Sequence, residues 1–202
     1  MELVKYNNNS ISNVTSVGLT SGDLNLLATN TITSGVSSSS FTSSIDITYD
    51  TYIFKFINIH PSANGENFGF QADTGTNTNY NQTITSTFFE ATHGEDGSGG
   101  ALSYKTAKDQ AQGTGLQSLG QPNNNDDASI SGTLHLFAPS NDIFVKHIIA
   151  RANLNESSTQ SANFIGGYIN TATAITRVQF KFSSGNIDSG VIKMYGLSKS
   201  WV

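Results

Sequence analysis

The chain contains no cysteine, which excludes a disulfide framework and every cysteine-based zinc site. That absence fits synthesis in a reducing cytoplasm. Positive charge is also scarce: ten Lys and Arg stand against fifteen Asp and Glu, for a net charge of -5. The ten are scattered, with no run among them. Nucleic acid and anionic membrane surfaces both call for a basic patch, so neither is expected as a partner. No stretch approaches the ~20 apolar residues of a membrane span. No apolar region follows Met1-Glu2-Leu3-Val4-Lys5 as it would in a signal peptide. The expected route out of a cell is therefore assembly into a particle and lysis. Helix-forming stretches are lacking as well. Only Ala150 to Asn155 offers a turn or so of helix.

Ser, Thr, Asn and 19 Gly fill the chain instead, and such residues suit turns, edges and wet strand faces. The last stretch, Ile175 to Leu197, organises the reading. Val178, Phe180 and Phe182 alternate there with Arg177, Gln179 and Lys181, the mark of a strand with one buried and one wet face. Ser183-Ser184-Gly185-Asn186 reads as a polar turn. Val191 to Leu197 follows, apolar on both faces, as in a strand deep in a sandwich or at a subunit contact. The pair predicts a β-hairpin closing the domain.

Further strands are expected over Leu24 to Ile32, Thr51 to His60, Asn67 to Ala72, Tyr80 to Glu90, Thr133 to Ala138, Ile143 to Ala150 and Phe164 to Ile169. Tyr52, Phe54, Phe56, Phe88, Phe89, Phe180 and Phe182 are spaced as core. About eight to ten strands with turn signals at roughly 8–12-residue spacing predict an all-β fold. The expectation is a single antiparallel, jelly-roll-like β-sandwich over residues 24–202, preceded by an extended N-terminal arm over 1–23. The apolar residues of the arm, Leu3, Val4, Tyr6 and Ile11, together with Trp201, are the candidate assembly contacts. The polar passage from Lys105 to Asp127 reads as one long loop, and loops of that length are usually functional. The loops from Gly94 to Asp127 supply the candidate receptor-facing residues Tyr104, Asn123, Asn124 and Asp126.

Catalytic patterns are weak. Asp96-Gly97-Ser98-Gly99-Gly100 lacks the residue order of the serine-protease loop, and neither His60 nor His93 sits in a recognisable general-base context. Glu90, Glu95 and Asp96 form the one acidic cluster that a glycan-cleaving pair could draw on. His135 and His147 fall on neighbouring strands, short of the three or four convergent ligands zinc wants. Asn123 to Asp127, and Asp73 with Gly75, offer loop oxygens for calcium without the spacing of an EF-hand. No cofactor or enzymatic activity is expected.

Three segments carry a resemblance: Gln71-Ala72-Asp73-Thr74-Gly75-Thr76-Asn77-Thr78-Asn79-Tyr80, Gly167 to Val178, and Ser189-Gly190-Val191-Ile192-Lys193-Met194-Tyr195-Gly196-Leu197. Together they resemble a family of short tailed-phage virion proteins, common in marine phages, with β-sandwich domains. The usual Asn-Gly before the first turn is here Gln71-Ala72, and Lys105 to Asp127 has no counterpart. The resemblance implies a non-enzymatic virion component made in the host cytoplasm. It would be a homo-oligomer, a trimer being one arrangement, that decorates or cements the capsid in contact with the major capsid protein or tail proteins. The alternative is a tail-fibre or head-fibre module recognising a host surface glycan.

Overall fold

The computed structural model describes residues 24–75 and 78–197. Leu3, Val4, Tyr6, Ile11 and Trp201, and with them the expected arm, lie outside the described residues. Thirteen strands and no helix make up the rest: β1 (Leu24–Ile32), β2 (Ser39–Phe41), β3 (Thr51–Pro61), β4 (Phe68–Asp73), β5 (Ile84–Gly94), β6 (Ala101–Tyr104), β7 (Ala111–Gly113), β8 (Gln117–Gly120), β9 (Ile130–Phe137), β10 (Lys146–Glu156), β11 (Thr159–Ile169), β12 (Arg177–Phe182) and β13 (Ile187–Leu197). They form two antiparallel sheets packed face to face. The larger runs β1-β13-β3-β9-β10-β11-β5-β6, with β7 also on β5; the smaller runs β2-β12-β4-β8.

The core lies between them. Tyr52, Phe54 and Phe56 of β3 point inward from the large sheet, and Phe68, Phe70, Phe180 and Phe182 point inward from the small one. Phe180 is the hub: its ring centroid lies 5.5 Å from Phe54, 6.0 Å from Phe68 and 6.3 Å from Phe41. Offset and edge-on ring pairs at such distances add to the area each ring buries.

The passage after β6 pairs with β5 through β7 and adds β8 to the small sheet. Ser86 Oγ donates to Gln117 Oε1 at 2.6 Å and accepts from the Gln110 N–H at 3.0 Å. Gln71 Nε2 donates to the carbonyls of Gln82, Thr114 and Gly115. Buried amides and hydroxyls are tolerated because they are paired in this way. The segment from Lys105 to Asp127 is thus no free loop. It contributes β7 and β8, and all four residues of β8 are buried.

Four further expectations are corrected. β12 and β13 do not form a hairpin: β12 pairs with β2 and β4, and β13 with β1 and β3. Alternation defines a strand but not its neighbour, and the polar link 183–186 crosses between sheets that pack about 10 Å apart. Gly185, at φ +73°, makes that crossing while the Asn186 carbonyl and N–H bond to Ser62. Ala150 to Asn155 is not helical but the middle of β10, where Ala150, Ala152 and Leu154 alternate with exposed Arg151 and Asn153. Phe89 is not core. Successive strand residues face opposite ways, so burying Phe88 turns Phe89 outward, 43% exposed. Ile143 and Phe144 precede β10 in a loop, because Asn141 Oδ1 accepts both of their N–H groups, at 2.8 and 2.7 Å.

Candidate functional site

The outer face of the large sheet is built from cross-strand rows. One row runs Thr29–Lys193–Lys55–Thr133–Arg151–Phe164–Phe89–Tyr104 across eight strands. Beside it runs Leu26–Tyr195–Ile53–His135–Ile149–Gly166–Thr87. A third row holds Leu24, Leu197, Thr51 and Phe137, with His147, Tyr168 and Thr85 further along the sheet. On the other side lie Thr31, Val191 and Ile57, then Ser131, Asn153, Ala162, Ala91 and Leu102.

Two properties set this face apart. Among the described residues, nine of the twelve large hydrophobics with high exposure stand on it: Leu24, Leu26, Ile57, Phe89, Leu102, Tyr104, Ile149, Phe164 and Leu197. Single exposed apolar residues need no explanation, whereas a contiguous set marks an interaction surface. The second property is charge. In these rows Lys55, Lys193 and Arg151 are the fixed charges, and no position is Asp or Glu, in a chain that is acidic overall.

Two of these three cations lie over aromatic rings. The Arg151 guanidinium lies 4.8 Å over the Phe164 ring, and Lys55 Nζ lies 5.6 Å from the centre of Tyr195. Phe89 and Tyr104 meet edge to face at 5.2 Å. The Tyr104 hydroxyl, on the edge strand, donates to the Asp109 carboxylate. His135 stacks on Phe137 and His147 meets Tyr168, so each ring has its own aromatic neighbour and His135 faces Ile149 across the strands. Burial, with the Lys55 charge beside it, lowers the His135 pKa below the usual imidazole value.

The second feature is a polar cleft of about 530 Å³ lined by Asn58, His60, Asp126, Asp127, Ser129 and Ser189. It forms where β3 carries an extra residue between Phe56 and Ile59 relative to β9. Such a bulge bends the strand and re-aims its side chains. Asn58 adopts φ +50° there, its N–H donating to Ser131 Oγ at 2.9 Å. His60 Nε2 lies 3.1 Å from the Asn125 carbonyl, which ties the loop to the bulge.

The structure separates the expected receptor-facing residues. Asp126 lines this cleft, whereas Asn123 lines a smaller one with Asn64, Gly65, Gln121 and Glu156. Asn123 Oδ1 accepts the Asn125 N–H at 2.9 Å, and Asn124 is exposed beside it. Tyr104 belongs to the sheet face instead, with four strands standing between β3 and β6.

The remaining candidates have local explanations. Glu90 is buried; desolvation alone would raise its pKa, but Lys105 at 2.8 Å and Lys108 at 3.2 Å outweigh that and hold it below the usual carboxylate value. A glycosidase acid needs the opposite shift. Asp96 Oδ1 accepts the Ser98 N–H at 2.9 Å, and Gly97 and Gly99 have positive φ, so Asp96 to Gly100 is the β5–β6 turn. Asp73 is fully buried; one oxygen accepts the Gly75 N–H at 2.6 Å and the other the Tyr80 N–H. Among the described residues, no group of three or more His, Cys, Asp or Glu side chains is placed to hold a metal.

The sequence signal that could have found the sheet face is the run of strands whose outward positions are themselves apolar: Leu24 and Leu26, Phe89, Ile149, Phe164, Leu197. Comparison with known proteins finds no matching family model, no matching curated protein and no matching solved structure.

Proposed function

We propose that the chain is a non-enzymatic assembly subunit of a tailed-bacteriophage virion, an oligomeric surface protein that decorates or cements the capsid. One observation carries the assembly part: the outer face of the nine-stranded sheet, apolar, aromatic and free of carboxylates across its rows. Interface centres are enriched in aromatic residues and Arg and depleted in acids and Lys; over eight strands this face has the aromatics, Arg151 and the lack of acids, with Lys55 and Lys193 as the exceptions. The virion part rests on the resemblance of the segments from Gln71, Gly167 and Ser189. Mass spectrometry of density-purified particles tests it. The protein is expected in stoichiometric amount with the shell proteins, and its absence from infectious particles would sink the reading. Immunogold labelling then places it on the head, as expected of a decorating protein, or at the tail.

A second reading is favoured by the polar cleft, whose Asn, His, Asp and Ser side chains suit the hydroxyls of a host surface glycan. It makes the chain a receptor-binding fibre module. Glycan-array binding that disappears in Asp126→Ala/Asp127→Ala would decide for it.

A further inference from the structure

The three exposed large hydrophobics that are not on the sheet face lie in the loops at one end of the sandwich. They are Ile47, 76% exposed, Ile143, 71%, and Phe144, 67%. Asp142 adjoins Ile143, and Ile47, Asp50 and Asp142 border one depression of about 280 Å³. This apolar knob therefore carries negative charge.

The knob is also stiff. Asn141 accepts the N–H groups of Ile143 and Phe144. Beneath it the fully buried Lys146 ammonium donates to the carbonyls of Phe144 at 2.7 Å, Thr171 at 3.0 Å and Ala172 at 3.2 Å. The Ala138 N–H closes the other side on the Asp50 carbonyl at 2.6 Å. Ordering a loop in advance removes part of the cost of binding.

Two copies of the sheet face meeting squarely would set Lys55, Lys193 and Arg151 of each against those of the other with no carboxylate in the rows between them, a costly arrangement. A knob on a face pairs Asp with Lys and Arg, and Phe144 and Ile143 with the aromatic row. Four rows across eight strands span on the order of 700 Å² at ordinary strand spacings, near the roughly 800 Å² that each partner gives a standard interface, so the face has room for such a contact, with the knob's three side chains filling one part of it.

We propose that the first occupant of the sheet face is a second copy of this chain, seated through its Ile47–Ile143–Phe144 knob. Such a contact joins two different patches, so it propagates head to tail and closes into a ring or runs on. The inference deepens the assembly reading and rests on it for the idea that the face is covered at all.

The test uses the full chain in solution, by light scattering after size exclusion at micromolar concentration. The wild type is expected to be oligomeric. Ile143→Ser/Phe144→Ser removes the knob and Phe164→Ser/Arg151→Glu spoils the face. Each is expected to weaken association at least tenfold while keeping the wild-type circular dichroism spectrum. Mixing the two variants restores one intact contact, an intact knob on an intact face, and is expected to give dimers that grow no further. A monomeric wild type, or a mixture that stays monomeric, overturns the proposal. If association in a knob variant is undiminished, the contact is some other one and the proposal also falls. A monomer that is nonetheless found in particles would defeat this contact and leave the virion reading standing. An oligomer absent from particles would do the reverse.

Discussion

Phe180 touches five other phenylalanine rings, contributed by both sheets, and its neighbours cannot all move in to fill the space it leaves. Phe180→Ala is therefore expected to cost about 3–5 kcal/mol, read from the shift of a urea unfolding midpoint. Glu90 acts electrostatically. Its folded pKa lies below the ordinary 4.5, so the stability it adds is fully present above that value and is lost as pH falls through the depressed one. Glu90→Gln is expected to lose about 2 kcal/mol at neutral pH, the scale of a hydrogen bond to a charged group. Its stability should also fall less than the wild type's as the pH drops below the ordinary 4.5. A wild-type acid limb in the variant would show that other carboxylates dominate. At Gly132 the constraint is steric: a Cβ would lie 2.7 Å from the Phe56 ring. Gly132→Ala is expected to lower the melting temperature by several degrees, since about 1–3 kcal/mol goes with such overpacking.

At the scale of elements, local pattern and long-range pairing differ in what a reader of the sequence can see. Leu24–Ile32 was legible to the residue, as was the alternation of Tyr52, Phe54 and Phe56, because side-chain direction follows from neighbours along the chain. The separation of β12 from β13 was not, since each chooses partners far away in sequence. Nor were β7 and β8, whose Gln and Ser residues read as solvated until Ser86, Gln110 and Gln117 are seen to bond one another. The sheet face was missed for a related reason: Phe89 next to Phe88 looks like more core until the pleat divides them. The polar cleft was half visible, since Asp126 was singled out and His60 was weighed only as a general base, while Asn58, brought in by the bulge, was not singled out. Amide exchange gives the check on the pairing. Amides of β12 bonded to β4 should be among the slow ones, as should those of β9 and β10, whereas β6 and β7 on the sheet edge should exchange early. Rapid exchange throughout β12 would contradict its place inside the small sheet.

For the molecule as a whole, two surface regions contrast in charge: one sheet face with cations and rings, and one end with acids beside Ile47, Ile143 and Phe144. If these surfaces meet, added salt should weaken association without unfolding the chain, because only the exposed charges are screened. The order of the strands has a different consequence. β13 lies between β1 and β3, so the last described strand is inserted between two of the first. While the chain is being made, β1 has no partner among the described strands, and β3 keeps one edge open. Until β13 is made, the sheet face lacks Lys193, Tyr195 and Leu197, and β1 has no strand to join it to β3. A ribosome that stalls late releases a product with an unpaired strand, ready for proteolysis. Only chains synthesised through β13 present the whole of the surface on which a neighbour would be built.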